Sequence, residues 1–208
     1  MAETKTAEKA PLASTEQALD ASNVGVAKGN SKNAGGYAWV GTAEDVSLPK
    51  DAKSEIGTGF KSLGYISEDG ITATTDTDSE DYTDWGGNVI KSALTSFSES
   101  YQVSFLESRE SVLKVVYGEA NVENDEAGCI TVKHNGHFTE ERSYVFESLV
   151  TDTLIKRTVI PRGSILERDD VAENASDLLA YTPTIKALPD SNGNTSYTYY
   201  YDSAKAGA

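Results

Sequence analysis

The chain has 208 residues, with 33 acidic against 18 basic side chains and a formal charge of 15 negative. At roughly 100–200 residues per domain it holds one domain, or one domain with an extension, and its charge repels phosphate at long range, which disfavours a groove-reading DNA binder. One cysteine, Cys129, excludes an intramolecular disulfide framework, and two histidines, His134 and His137, leave little material for imidazole chemistry.

The N-terminus carries charges from residue 3 onward and no apolar run, so neither a secretory signal nor a membrane anchor is expected. No stretch approaches the roughly 20 apolar residues that span a bilayer, and the product is expected to be made in the cytosol. The sequons at Asn174 and Asn194 are then chance occurrences in a Ser/Thr-rich chain.

Residues 1–36 lack any aromatic residue, end in Gly35-Gly36 and carry four lysines against four acids, so all of the net charge belongs to 37–208. Such a segment cannot build a core. It is expected to be a flexible arm that orders against a partner, with 37–208 as the folded domain. Ser14-x-x-Gln17 could cap a short helical turn there, too brief to stand alone.

From Tyr37 the pattern turns to β. Tyr37-Ala38-Trp39-Val40 predicts a short strand, and 43–62 predicts a long polar loop with Ile56 and Phe60 as its apolar points. Leu63–Ser67 predicts a strand, Glu68-Asp69-Gly70 a turn, and Ile71–Thr75 the return strand. Thr95–Leu106 alternates strictly: Phe97, Glu99, Tyr101, Val103 and Phe105 fall on one face, and Ser96, Ser98, Ser100, Gln102 and Ser104 on the other. The apolar face is expected inside and the serine face in water. Glu107–Tyr117 predicts the one helix, closed by Gly118.

Beyond it, Asn135-Gly136 predicts a tight hairpin between Ile130–His134 and His137–Thr139. Strands are expected at Arg142–Thr151, Leu154–Pro161, Tyr181–Leu188 and Ser196–Asp202. Turns fall at Asp152-Thr153, near Arg162-Gly163-Ser164, and over Asp190–Asn194. The fold class is mainly β: a β-sandwich or barrel of eight or nine strands with one flanking α-helix, a long loop and an N-terminal arm.

Chemical constellations fail one by one. The two histidines would face each other across the hairpin, but Cys129 stands an odd number of residues from His134, which places it on the opposite side of that strand. Seven acids crowd Glu68–Asp84, and Asp76-x-Asp78-x-Glu80 imitates a calcium loop until Asp81 and Gly87 occupy the positions that need glycine and a bidentate acid. Asp190-x-Asn192-x-Asn194 fails likewise. No nucleophile elbow, phosphate loop or His-Glu-x-x-His pair is present. No metal, cofactor or catalytic residue is expected, and the chain is not expected to be an enzyme.

At Leu63-Gly64-Tyr65-Ile66-Ser67-Glu68-Asp69-Gly70-Ile71, Trp85-Gly86-Gly87 followed by Val89, Phe105-x-Glu107, Val112-Leu113-Lys114-x-Val116-Tyr117-Gly118 and Asn121-Val122, the sequence resembles the major tail protein, or tail tube protein, of long-tailed non-contractile bacteriophages. The resemblance covers about residues 24–122 and fades to strand rhythm afterwards. It implies a structural virion protein whose homohexameric rings stack into the tail tube, a conduit for genome ejection. The implied partners are further copies of the chain, the tape measure protein and the tail tip and terminator proteins, with transient passage of double-stranded DNA and no membrane. Some members carry an extra C-terminal immunoglobulin-like domain, and none is expected within these residues. On this view Ser98, Ser100, Gln102 and Ser104 would face the lumen, and Lys28, Ile56 and Phe60 would make inter-ring contacts. The competing reading is a monomeric β-sandwich binding module of carbohydrate-binding or adhesin type, with Tyr197, Tyr199, Tyr200 and Tyr201 as its contact surface.

Overall fold

The computed structural model describes residues 24–30, 36–41, 46–125 and 127–205. These form strands β1 (Lys28–Gly29), β2 (Ala38–Gly41), β3 (Phe60–Ser62), β4 (Ile66–Thr83) and β5 (Val89–Phe105), helix α1 (Glu110–Tyr117), then β6 (Val122–Asn124), β7 (Ile130–Val132), β8 (Glu141–Leu149), β9 (Leu154–Arg168), β10 (Pro183–Leu188) and β11 (Tyr197–Asp202). All ladders are antiparallel. The main sheet runs β3-β2-β8-β9-β10-β5-β4, with β1 also on β8 and β11 also on β9, while β6 and β7 make a separate small ladder.

That order curls the sheet. Seven strands laid flat would set β3 and β4 roughly 29 Å apart, yet only Leu63, Gly64 and Tyr65 join them, and such a link reaches about 14 Å at most. The connector is held tightly: the Leu63 amide donates to the Ala38 carbonyl at 2.8 Å, and the Tyr65 amide donates to Glu107 at 2.8 Å. Gly64 sits at φ +75° with its α-carbon against that carboxylate, where a Cβ would lie 2.2 Å from Oε1. Only glycine fits.

The concave face carries the main core. Ala38, Val40, Leu63, Val103, Phe105, Tyr144, Phe146, Ile160, Ile165 and Ile185 close against Val112, Leu113, Val115 and Val116 of α1. The helix is amphipathic but begins at Glu110, three residues later than the pattern suggests. It ends as expected at Gly118, at φ +93°, whose amide donates to the Lys114 carbonyl. The convex face carries a second cluster of Trp39, Phe60, Val145 and Val159, covered by Val46, Leu48 and Ile56 of the loop before β3.

Several expectations are corrected. Asn135-Gly136 is not a hairpin turn: a type I′ turn needs positive φ at both central residues, and neither has it. Asn135 instead accepts from the His137 amide and exchanges side-chain hydrogen bonds with Asn121, and the hairpin forms between β6 and β7. His134 packs edge-on to Tyr117 at 4.9 Å between ring centroids. Glu68-Asp69-Gly70 does not end a strand; it is an irregularity within β4, which runs on through the acidic stretch as one partner of a long hairpin. Arg162-Gly163-Ser164 is likewise inside β9, because a register shift opposite Arg142–Tyr144 absorbs Pro161 where no ladder amide is required.

Candidate functional site

The largest departure from a closed domain is the hairpin of β4 and β5. β10 pairs with β5 only from Glu99 to Gln102, so from Asp76 and Ser98 outward the two strands continue alone. From Ser98 to the turn the ribbon extends about 35 Å at 3.3 Å per residue. Asp84 holds the turn, accepting from the Asn88 amide and side chain, and these bonds keep its carboxyl below the usual range.

Register sorts the ribbon into two unlike sides. Thr77 opposes Phe97, Ser79 opposes Leu94 and Thr83 opposes Val89, continuing the core-facing side of the sheet. Asp76 opposes Ser98, Asp78 opposes Ser96 and Glu80 opposes Ala93 on the other side. Phe97 was expected inside and is 52% exposed, because the strands that would bury it stop short. Tyr82, Trp85, Val89, Ile90 and Leu94 are also exposed on this ribbon, and Trp85 at its tip is entirely uncovered. Isolated two-stranded hairpins are marginal in water, and apolar patches of this kind mark interaction sites.

The serine side behaves differently. Ser100 opposes Thr74 and Lys186, Gln102 opposes Thr72 and Thr184, and Ser104 accepts from the Thr182 hydroxyl at 2.8 Å. Ser98, Ser100 and Ser104 are half-buried and Gln102 is exposed. Together with Asp76, Asp78 and Glu167 they make a hydroxyl-rich, mildly acidic surface in which Lys186 is the cation nearest the serines.

The expected inter-ring residues separate. Lys28 is exposed and paired with Asp152 at 2.8 Å. Phe60 is only 9% exposed, in the subunit's own second cluster, and Ile56 packs against it. Within the subunit the loop is polar by count, but Val46, Leu48, Ile56 and Phe60 turn onto Trp39, Val145 and Val159, with Ile56 only half-buried. A buried ion pair beneath the loop, missed in the sequence, secures it. Arg157 donates to Glu147 at 2.6 Å and to the Asp51 and Ser54 carbonyls at 2.9 and 2.8 Å, while Asn30 donates to the other Glu147 oxygen at 2.6 Å. One charged pair thus fastens both the loop and residues 24–30. The rest of the expected arm, 1–23 and 31–35, lies outside the described residues.

Tyr197 and Tyr199 also pack on the second cluster, leaving Tyr200 as the exposed member of the tyrosine run. Among the described residues no group of three or more His, Cys, Asp or Glu side chains is gathered for a metal, and no helix is long and apolar enough to cross a membrane. No curated protein matches the chain. The sequence model of the family described as phage tail tube protein matches residues 35–208, a span that takes in every strand but β1, the helix and both apolar clusters. By that match, and with described residues that fold as a curled antiparallel sheet, a small second ladder and one short α-helix, the chain belongs to the phage tail tube protein family, a structural component of the virion's tail and not an enzyme.

Proposed function

We propose that the protein forms hexameric rings that stack into the tail tube and conduct double-stranded DNA, with the tape measure, tail tip and terminator proteins as its other partners. The observation that carries this reading is the uncovered ribbon of β4 and β5, which exposes Phe97, Leu94 and Val89 on a continuation of the core-facing side. A subunit built to remain alone would leave no such surface; one built to assemble completes its fold with a neighbour. The serine side of β5 is assigned to the lumen: short hydroxyls and scattered carboxylates offer DNA neither a hydrophobic obstacle nor a row of cations to release its counterions. Residues 1–36 are assigned to contacts between rings.

Negative-stain imaging of the purified protein over a range of concentrations tests the reading. Six-fold rings and stacked tubes are the expected result. A protein that stays monomeric at high concentration overturns it in favour of a binding module.

A further inference from the structure

The ribbon tip has a counterpart elsewhere on the same molecule. A cavity of about 420 Å³ opens at the ribbon's root, on the core-facing side. Its wall is mostly apolar, with Tyr37, Ile66, Ile71, Ala73, Tyr101 and Phe146 among its lining residues. Two lysines stand at this wall, Lys28, which is already paired with Asp152 at 2.8 Å, and Lys156. Glu147, which also borders it, is neutralised by Arg157, so Glu68 is the remaining acid there. The cavity therefore suits an apolar group, and an acid carried beside that group has Lys156 to pair with, a lysine in no ion pair among the described residues.

The ribbon tip supplies that combination. Trp85 is entirely exposed, beside Asp84, and residues 72–97 hold five acids against the single Lys91. Trp85 cannot reach the cavity of its own subunit. Ala73 in the cavity wall lies twelve residues before Trp85 along the same extended strand, a separation of roughly 40 Å. The occupant has to be a second copy.

We infer that Trp85 of one subunit inserts into the cavity bounded by Ile71, Tyr101 and Phe146 of another, with Lys156 facing the acid beside it. This rests on the assembly reading above and names the contact that drives it. Knob and socket lie on different regions of one surface, so the contact is heterologous and propagates head to tail, the kind that generates closed rings and open stacks. A tryptophan in a pocket is also the side chain in which binding energy most often concentrates.

The chain has two tryptophans, and Trp39 is buried in the subunit, so fluorescence can follow Trp85 alone in a Trp39→Phe variant whose assembly is first matched to wild type by imaging. If Trp39→Phe impairs folding, acrylamide quenching of the wild-type protein gives the same readout, because buried Trp39 contributes little to the quenchable fraction. Free subunits should show red, readily quenched emission; assembled tubes should show a blue shift and at least a several-fold loss of quenching. Trp85→Ala and the cavity-filling Ala73→Phe should each raise the concentration needed for assembly about tenfold or more, with unchanged far-ultraviolet circular dichroism. Tubes in which Trp85 stays as quenchable as in free subunits, or a Trp85→Ala protein that assembles like wild type, overturn the contact and leave the tail-tube reading standing. A wild-type protein that forms no rings or tubes overturns both.

Discussion

Glu147 and Arg157 were unremarkable letters within two strands, and folding turns them into the most consequential charges in the chain. Both are buried, and Arg157 also ties down the loop carbonyls of Asp51 and Ser54. Removing one partner of a buried pair costs about 3–5 kcal/mol, so Arg157→Met should lower stability to urea by that order and speed hydrogen exchange across 51–56. Adding Glu147→Leu should recover only part of the loss, because the Asp51 and Ser54 carbonyls would still lose the hydrogen bonds Arg157 gives them. Glu99 gives a pH dependence. Burial acts to raise its carboxyl, but hydroxyl donation from Thr195, Tyr101 and Ser196 outweighs it and holds the group below its ordinary 4.5. Burial, with the Glu99 carboxylate beside it, pushes the Tyr101 hydroxyl up to about 12. Because the folded value of Glu99 is lowered, its stabilisation is present above the ordinary carboxylate value and is lost as pH falls through the lowered one. Denaturation midpoints at falling pH should therefore drop more steeply for wild type than for Glu99→Gln.

At the level of elements, legibility followed local signals. The helix end at Gly118 was readable because a glycine closing an amphipathic run has a backbone reason: φ is +93° and a Cβ would sit 3.0 Å from the Phe138 Cα. Gly118→Ala should cost roughly 1–3 kcal/mol, measurable by urea titration. The hairpin at Asn135-Gly136 was misread although its dipeptide signal is strong, since Asn121, fourteen residues earlier, recruits the Asn135 side chain into a different arrangement. The alternation of β5 was legible, but how far its apolar side is buried was not, because burial is set by where β10 ends. Phe97→Ser with Leu94→Ser should leave subunit stability within about 1 kcal/mol, as both side chains are already exposed, while reducing assembly in sedimentation measurements. A large loss of subunit stability would mean the ribbon packs on its own domain in solution.

For the molecule as a whole, the unlike sides of the sheet suit a tube wall. Ser100→Lys with Gln102→Lys should leave tubes intact but make them retain DNA in a salt-sensitive way, read by filter binding at rising salt, because each added cation at the wall releases counterions from DNA. Salt-independent behaviour identical to wild type would put this side of β5 away from the lumen. The arm can be divided by the structure. Deleting residues 1–23 preserves Lys28–Gly29 on β8 and the Asn30 bond to Glu147, whereas deleting 1–36 removes both. Both truncations should keep a β signal in circular dichroism and lose long tubes on imaging, with the longer deletion also melting earlier. Normal tubes from the shorter protein would move ring stacking elsewhere.

The sequence alone determined the β-rich class, helix α1 and its stop, the absence of familiar catalytic motifs and the order of residues resembling tail tube proteins, because each depends on local periodicity, composition or spacing. Tertiary structure alone decided which apolar residues are covered. Phe60 was expected on a polar loop and Phe97 on the inner face of a strand, yet Phe60 is sealed beneath the loop while Phe97 stands open on a ribbon that outruns its neighbours. Burial is a property of what lies across the sheet, set by strand order and length, and residues far apart in the chain, such as Asn30, Glu147 and Arg157, meet only once that order is in place.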